Sequence, residues 1–203
     1  EIEKMQISSG EIKLEYKQKK KQYDLNVQVI TKKFLKLYGD KDIQSIGIVS
    51  SRGLLFNSFI VNDIKKPKKK IRVIYERNKD KLKIDYKNKI TEKKYVENLL
   101  DIPTLILQFH FEKKKSKYSF NFIEGKRIRN IEYKKIKDEN IKINGKKYLA
   151  ELYEGEITLA KNSKHLVWLS RGPYRIPIKI RLKMKGGLMI DQNLKETDLK
   201  LSN

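Results

Sequence analysis

The chain of 203 residues has no cysteine, one tryptophan, two histidines and four prolines. The missing cysteine excludes disulfides, thiolate nucleophiles and cysteine-held metals together. It does not choose a compartment. No apolar run is long enough to cross a bilayer as a helix, and no stretch has the make-up of a signal peptide. The chain opens at Glu1 rather than at a methionine, as expected of a mature or trimmed form, so the missing leader does not argue for the cytoplasm. His110 and His165 stand far apart, each without a second ligand at metal spacing, and are expected to be structural. There is no Gly-x-Ser-x-Gly elbow and no glycine-rich loop with a Lys-Ser/Thr after a strand. Asp138, Glu139, Glu151, Glu154 and Glu156 lie among lysines and read as solvated charge pairs rather than acid–base groups. No catalytic residue, metal or cofactor is expected, and the chain is not expected to be an enzyme.

Positive charge is abundant: the net charge is +23. A polyanion partner such as nucleic acid, lipid head groups or an anionic glycan is one reading. Against it, lysine outnumbers arginine 40 to 8. That ratio fits an AT-rich genome, and the planar reader of phosphates and bases is the scarce one. The lysines are spread over polar faces rather than gathered in a block, so compositional bias is the stronger reading. Aromatic residues recur on strands, as in stacking platforms for single-stranded nucleic acid. Here Tyr16, Tyr23, Tyr75, Tyr86, Tyr118, Phe120, Phe122, Tyr133 and Trp168 mostly hold the apolar phase of their strands, which favours core packing.

The hydropathy pattern is that of strands. Ile176, Ile178, Ile180, Leu182 and Met184 alternate with Arg175, Pro177, Lys179, Arg181 and Lys183, a period of two with one dry face and one wet face. Three antiparallel strands follow: His165–Ser170, Tyr174–Lys185 and Leu188–Leu194. Upstream, Ile12, Leu14 and Tyr16 form a hairpin with Tyr23, Leu25, Val27 and Val29. Ile71, Val73 and Tyr75 face Leu82, Ile84 and Tyr86. Asn144-Gly145 is a two-residue turn joining Asn140–Ile143 to Lys146–Tyr153, and Ile157–Ala160 is expected to pair with His165–Ser170. Thr31–Tyr38 suits a short helix or crossover. Thr91–Phe111 breaks the strand pattern and contains the main helix, Asp101–His110, with Asp101 as its cap and Pro103 in its first turn. The fold is therefore mainly β: residues 1–11 are a loose lead-in, and 12–203 form one domain. Its large antiparallel sheet must curl to protect its dry face, with the helix on the concave side.

Three segments resemble a known family. They are Ser51-Arg52-Gly53-Leu54-Leu55-Phe56-Asn57-Ser58-Phe59, Asn98-Leu99-Leu100-Asp101-Ile102-Pro103-Thr104-Leu105, and Val167-Trp168-Leu169-Ser170 with Arg175-Ile176-Pro177-Ile178-Lys179-Ile180. Together they are similar to the bacterial domain-of-unknown-function family numbered 3108, over roughly Ile12 to Leu194. The resemblance implies a secreted, periplasmic protein with its signal peptide removed. It also implies a curved antiparallel half-barrel around one or two helices, similar to the lipoprotein carriers LolA and LolB. It carries no activity and no catalytic residue.

The leading expectation is a non-enzymatic periplasmic protein that holds a lipid, lipoprotein acyl chain or other amphipathic ligand in the half-barrel. Trp168, Ile176, Ile178, Ile180, Leu182, Met184, Leu105 and Phe109 are the cavity candidates. Arg175, Lys179 and Arg181 are the candidates for an anionic head group. The alternative is a structural or interaction domain of the cell envelope with a packed core, meeting an envelope protein or an anionic membrane surface. A filled concavity and an exposed apolar patch would favour this alternative. A nucleic-acid-binding β-domain is disfavoured.

Overall fold

The computed structural model describes residues 10–32, 39–158, 164–183 and 189–198. The chain falls into two compact units, Glu1–Val96 and Glu97–Asn203. Each is built on one seven-stranded sheet. The single large sheet read from the sequence is thus two. The break has a local cause. Lys89–Lys94 is exposed at every position and charged at four of its six residues, so it ends its sheet as an edge strand that repels further pairing.

The first unit is an up-and-down meander: β1 (Gly10–Lys19), β2 (Gln22–Thr31), β3 (Lys41–Ser50), β4 (Gly53–Asp63), β5 (Ile71–Glu76), β6 (Lys81–Tyr86) and β7 (Lys89–Lys94), paired in that order. The hairpin registers follow the alternation of the sequence: Ile71, Val73 and Tyr75 lie opposite Tyr86, Ile84 and Leu82. Lys87 and Asn88 both take positive φ, 54° and 59°, which closes a two-residue hairpin whose twist suits the strands. Tyr23, Leu25, Leu54, Phe56, Val73, Leu82 and Ile84 are buried. At the centre, the Tyr23 ring lies against Gly47, where a Cβ would meet Tyr23 Cε1 and Phe56 Cα, both at 2.7 Å.

The second unit runs β8 (Leu99–Asp101), α1 (Ile102–Phe111), β9 (Lys117–Glu124), β10 (Arg127–Ile143), β11 (Lys146–Ile157), β12 (Lys164–Ser170), β13 (Pro177–Lys183) and β14 (Met189–Asn193). The sheet order is β14-β13-β12-β11-β10-β9-β8, and the sheet curls into a half-barrel. All its pairs are antiparallel except β8 with β9, which are parallel across the helix. The helix begins as its sequence predicts. Asp101 Oδ1 accepts from the Thr104 amide at 2.9 Å, and Thr104 Oγ1 accepts from the Asp101 amide at 2.9 Å, a reciprocal cap that satisfies two otherwise orphaned donors.

Four readings of the sequence are corrected. Thr91–Phe111 is not a single break in the strands: Thr91–Lys94 belongs to β7, and Leu99 and Leu100 form β8 rather than a helical face. Ile157 ends β11 instead of starting a new strand, because Gly155 and Glu156 already pair with His165 and Lys164. Glu151 is not a solvated charge: it is buried on β11. The apolar row Ile176–Met184 does not stay on one face. Trp168 pairs with Lys179 but Leu169 pairs with Pro177, so Ile178 is an extra residue that switches the phase of β13. The expected helix at Thr31–Tyr38 lies mostly outside the described residues, Thr31 itself ending β2. Met184, Lys185 and Leu188 of the last two expected strands, Leu159 and Ala160, and residues 1–9 of the lead-in also lie outside them, whereas Gly10 and Glu11 belong to β1.

Candidate functional site

The bulge in β13 decides where the nominated cavity residues go. Ile178 is fully buried with Trp168, Leu152, Ala150 and Ile143 in one cluster. Ile180, partly buried, packs on the other cluster with Val167, Leu169, Leu105 and Phe109. Ile176 and Leu182 are part-exposed. Five of the eight candidates are thus divided between two packed clusters, Trp168 and Ile178 in one and Leu105, Phe109 and Ile180 in the other, and Met184 lies outside the described residues.

The helix-side cluster is centred on Phe109, which is 1% exposed. Its ring meets Tyr118 at 5.3 Å, Phe120 at 5.4 Å and Tyr133 at 5.1 Å between centroids, all edge to face. Such contacts pair the positive ring edge with the negative ring face and add specific energy to the burial. Leu105 packs one turn earlier on the same helix. These rings pack around Phe109 in one cluster.

Beyond Phe109 lies a polar arrangement in the interior. Glu151, on β11, is 1% exposed. Arg175 donates to Glu151 Oε2 at 3.2 Å, to the Tyr118 hydroxyl at 2.9 Å and to the Phe109 carbonyl at 3.3 Å. The last bond sets a cation on the negative end of α1, where carbonyls lack intrahelical partners. Lys135 bridges Glu151 at 3.2 Å and Asp138 at 2.7 Å. Lys114 also contacts Glu151, and Arg171 contacts Asp138. Tyr153 donates to the Lys115 carbonyl at 2.8 Å, and Tyr118 donates to the Lys113 carbonyl at 3.1 Å. The arrangement latches the helix and the loop after it to the sheet.

Burial alone would raise the Glu151 pKa. The bonds from Lys114 and Lys135 and the charge of Arg175 outweigh that and hold it below the ordinary value. Burial, with the neighbouring Glu151 charge, pushes Tyr153 upward, and burial does the same to Tyr133. The carboxylate stays ionised and the phenols stay protonated near neutral pH. A general acid or base needs a value near its working pH, and these groups have been moved away from it.

Sequence reasoning took Glu151 for a solvated charge and missed its burial. The clue was Ala150-Glu151-Leu152-Tyr153, buried at all four positions. A strand without alternation is buried on both faces, and an acid inside it must be paired.

The three nominated head-group cations all have partners within the chain. Arg175 is in the latch. Arg181 makes two bonds of 2.6 Å to Asp191. Lys179 lies 3.5 Å from Asp191 and 5.1 Å from the centre of the Trp168 ring. Trp168 donates to Glu139 at 2.7 Å. Among the described residues no group of three or more acids or histidines is placed to hold a metal, and no helix is long and apolar enough to cross a membrane. Tyr23, Tyr118, Phe120, Phe122, Tyr133 and Trp168 are buried, as core packing requires.

Fold and site define a class: a mainly antiparallel β protein with a curled half-barrel closed on a helix, held by a buried ion-pair latch. Over residues 3–193 the chain matches the family described as "Protein of unknown function (DUF3108)", and it belongs to that family. No curated protein and no solved structure matches it.

Proposed function

We propose that this protein is a non-catalytic structural or interaction protein of the bacterial cell envelope whose core is packed rather than hollow. The observation that carries this reading is Phe109. It occupies the concave side of the half-barrel in edge-to-face contact with three rings, and the helix bearing it is tied down by Arg175. Exposed apolar side chains on strands, such as Ile12 at 46% and Leu14 at 40%, support a role in contact with partners. The envelope setting comes from the family resemblance and is checked by cell fractionation.

The test is native mass spectrometry after gentle purification, with titration of a fluorescent fatty acid. A clean apo mass and no saturable uptake agree with the packed reading. A lipid co-purifying at defined stoichiometry overturns it in favour of a second reading, an amphipathic-ligand carrier resembling LolA and LolB. The curled sheet around an apolar helix favours that second reading, since the helix could act as a displaceable plug.

A further inference from the structure

We propose that β1 is a self-association surface: two copies join by antiparallel pairing of Glu11–Lys17 about a two-fold axis at Leu14. The inference goes beyond the packed-core reading and does not depend on it.

Among the described residues β1 ends its sheet, with β2 as its neighbour. Lys19 pairs with Gln22 across a two-residue turn, which makes them a hydrogen-bonded pair. Backbone groups alternate in direction along a strand. The odd-numbered residues of β1 therefore point their amides and carbonyls at β2, and Ile12, Leu14 and Tyr16 point theirs at the side away from β2. The side chains of these three lie on the buried face of the sheet, since Leu14 sits opposite Val27 and Tyr16 opposite Leu25. Val27 and Leu25 are 6% and 0% exposed. Ile12 and Leu14 thus continue a core face out to an edge where they are wet.

The sequence of this edge complements itself. With Leu14 opposite Leu14 of a second copy, Ile12 meets Tyr16 and the apolar row runs on without a gap. On the other face Glu11 meets Lys17 and Lys13 meets Glu15, so every facing pair has opposite charges. Moving the axis to Lys13 sets lysine against lysine and Glu11 against Glu15. Moving it to Glu15 sets glutamate against glutamate and Lys13 against Lys17. Like charges directly opposite are destabilising, so charge disfavours both of these registers, and the Leu14 register joins the longest run of opposite-charge pairs. Within one copy Glu15 contacts Lys17 and Glu11 contacts Lys32, each at 2.9 Å; both are surface pairs that exchange at little cost.

The other sheet edges lack this property. β7 pairs lysine with lysine in its central register. β8 is three residues long and fully buried, and β14 has five residues and a single charge. An open edge with complementary side chains is the setting for strand addition, and an isologous contact closes as a dimer.

The test is sedimentation equilibrium of the full chain at about 100 µM, a concentration suited to a micromolar edge contact, in enough salt to screen the repulsion between two copies of net charge +23. A dimer of twice the 24.1 kDa chain mass is expected. Lys13→Glu and Glu15→Lys should each weaken it by about tenfold or more. Mixing the two variants should give a one-to-one heterodimer, and the double variant should restore the homodimer. Non-specific charge effects predict otherwise: the first change lowers the net charge by two and the second raises it by two, so one dimer would tighten. A wild-type monomer overturns the proposal, as does a dimer unaffected by both substitutions while urea midpoints stay at the wild-type value. Neither outcome bears on fatty-acid uptake.

Discussion

The Arg175 guanidinium lies 3.2 Å from the Glu151 carboxylate, with side-chain exposures of only 12% and 2%. Removing one partner of a buried pair leaves the other charge unpaired, at about 3–5 kcal/mol. Glu151→Ala is expected to cost this much, because it also strips Lys135 and Lys114 of their shared anion. Arg175→Met should cost less, because Glu151 keeps both lysines. Replacing the pair together, Glu151→Leu with Arg175→Met, should recover part of the loss. Urea denaturation of the three variants checks this. A double variant no more stable than Glu151→Ala would mean that the energy resides elsewhere.

Two sets of groups make stability depend on pH. Burial holds His110 and His165 below the ordinary 6.5, with Glu124 drawing His165 partly back. A histidine kept neutral in the fold leaves the unfolded chain binding more protons, so stability falls as pH drops below 6.5. Glu151 has the opposite chemistry with the same sign. Its folded value lies below the ordinary 4.5, so its contribution is complete above that value and is lost as pH falls through the folded one. Asp138, held below its ordinary 3.8 first by the bond from Lys135, adds to the lower step. Urea midpoints should fall in two stages, one beginning near pH 6.5 and one near 4.5. Glu151→Gln should shrink the second stage alone.

Much of the architecture was legible because alternation is a local property. The Ile71–Tyr75 and Leu82–Tyr86 faces pair as their sequence phase requires, Asn144 and Gly145 take positive φ in the turn, and Asp101 caps the helix. What was not legible depends on a partner strand. A bulge is defined by two residues opposing one, and nothing in Arg175–Lys183 alone announces that Ile178 is extra. Ile136 is the matching case on β10. The register shifts between Lys135 and Lys137, and Ile136 turns outward to 51% exposure. The division into two sheets escaped notice for a similar reason: the strand that ends the first sheet is recognisable only by what fails to pair with it. The latch escaped because Glu151 was judged by its lysine-rich surroundings and not by the apolar residues that flank it.

Gly47 tests the packing of the first unit. A methyl group there would meet the Leu55 carbonyl and Phe56 Cα of the next strand as well as the Tyr23 ring. Backbone on two sides cannot yield like a flexible side chain. Gly47→Ala is expected to destabilise by about 1–3 kcal/mol, the usual range for overpacking. Gly125→Ala has open space around its Cβ but a φ of +59°, so its smaller loss reports backbone strain alone. Thermal melts of the two variants separate steric crowding from conformational cost.

Phe109→Ala addresses stability and function together. Losing a buried phenylalanine typically costs about 3–5 kcal/mol, the upper part of that range applying where the surroundings cannot collapse. Tyr118 and Tyr153 are anchored by hydrogen bonds to the loop after the helix, and Tyr133 is on a central strand, so collapse into the space is restricted. The variant should therefore carry an apolar hole on the concave side, able to take up a small apolar probe such as benzene. The wild type should bind none there. Probe binding by the variant with none by the wild type means that Phe109 is the filling of the half-barrel. Saturable binding by the wild type, displaced by a fatty acid, would mean that the half-barrel already has room for a ligand and that the helix moves to admit it.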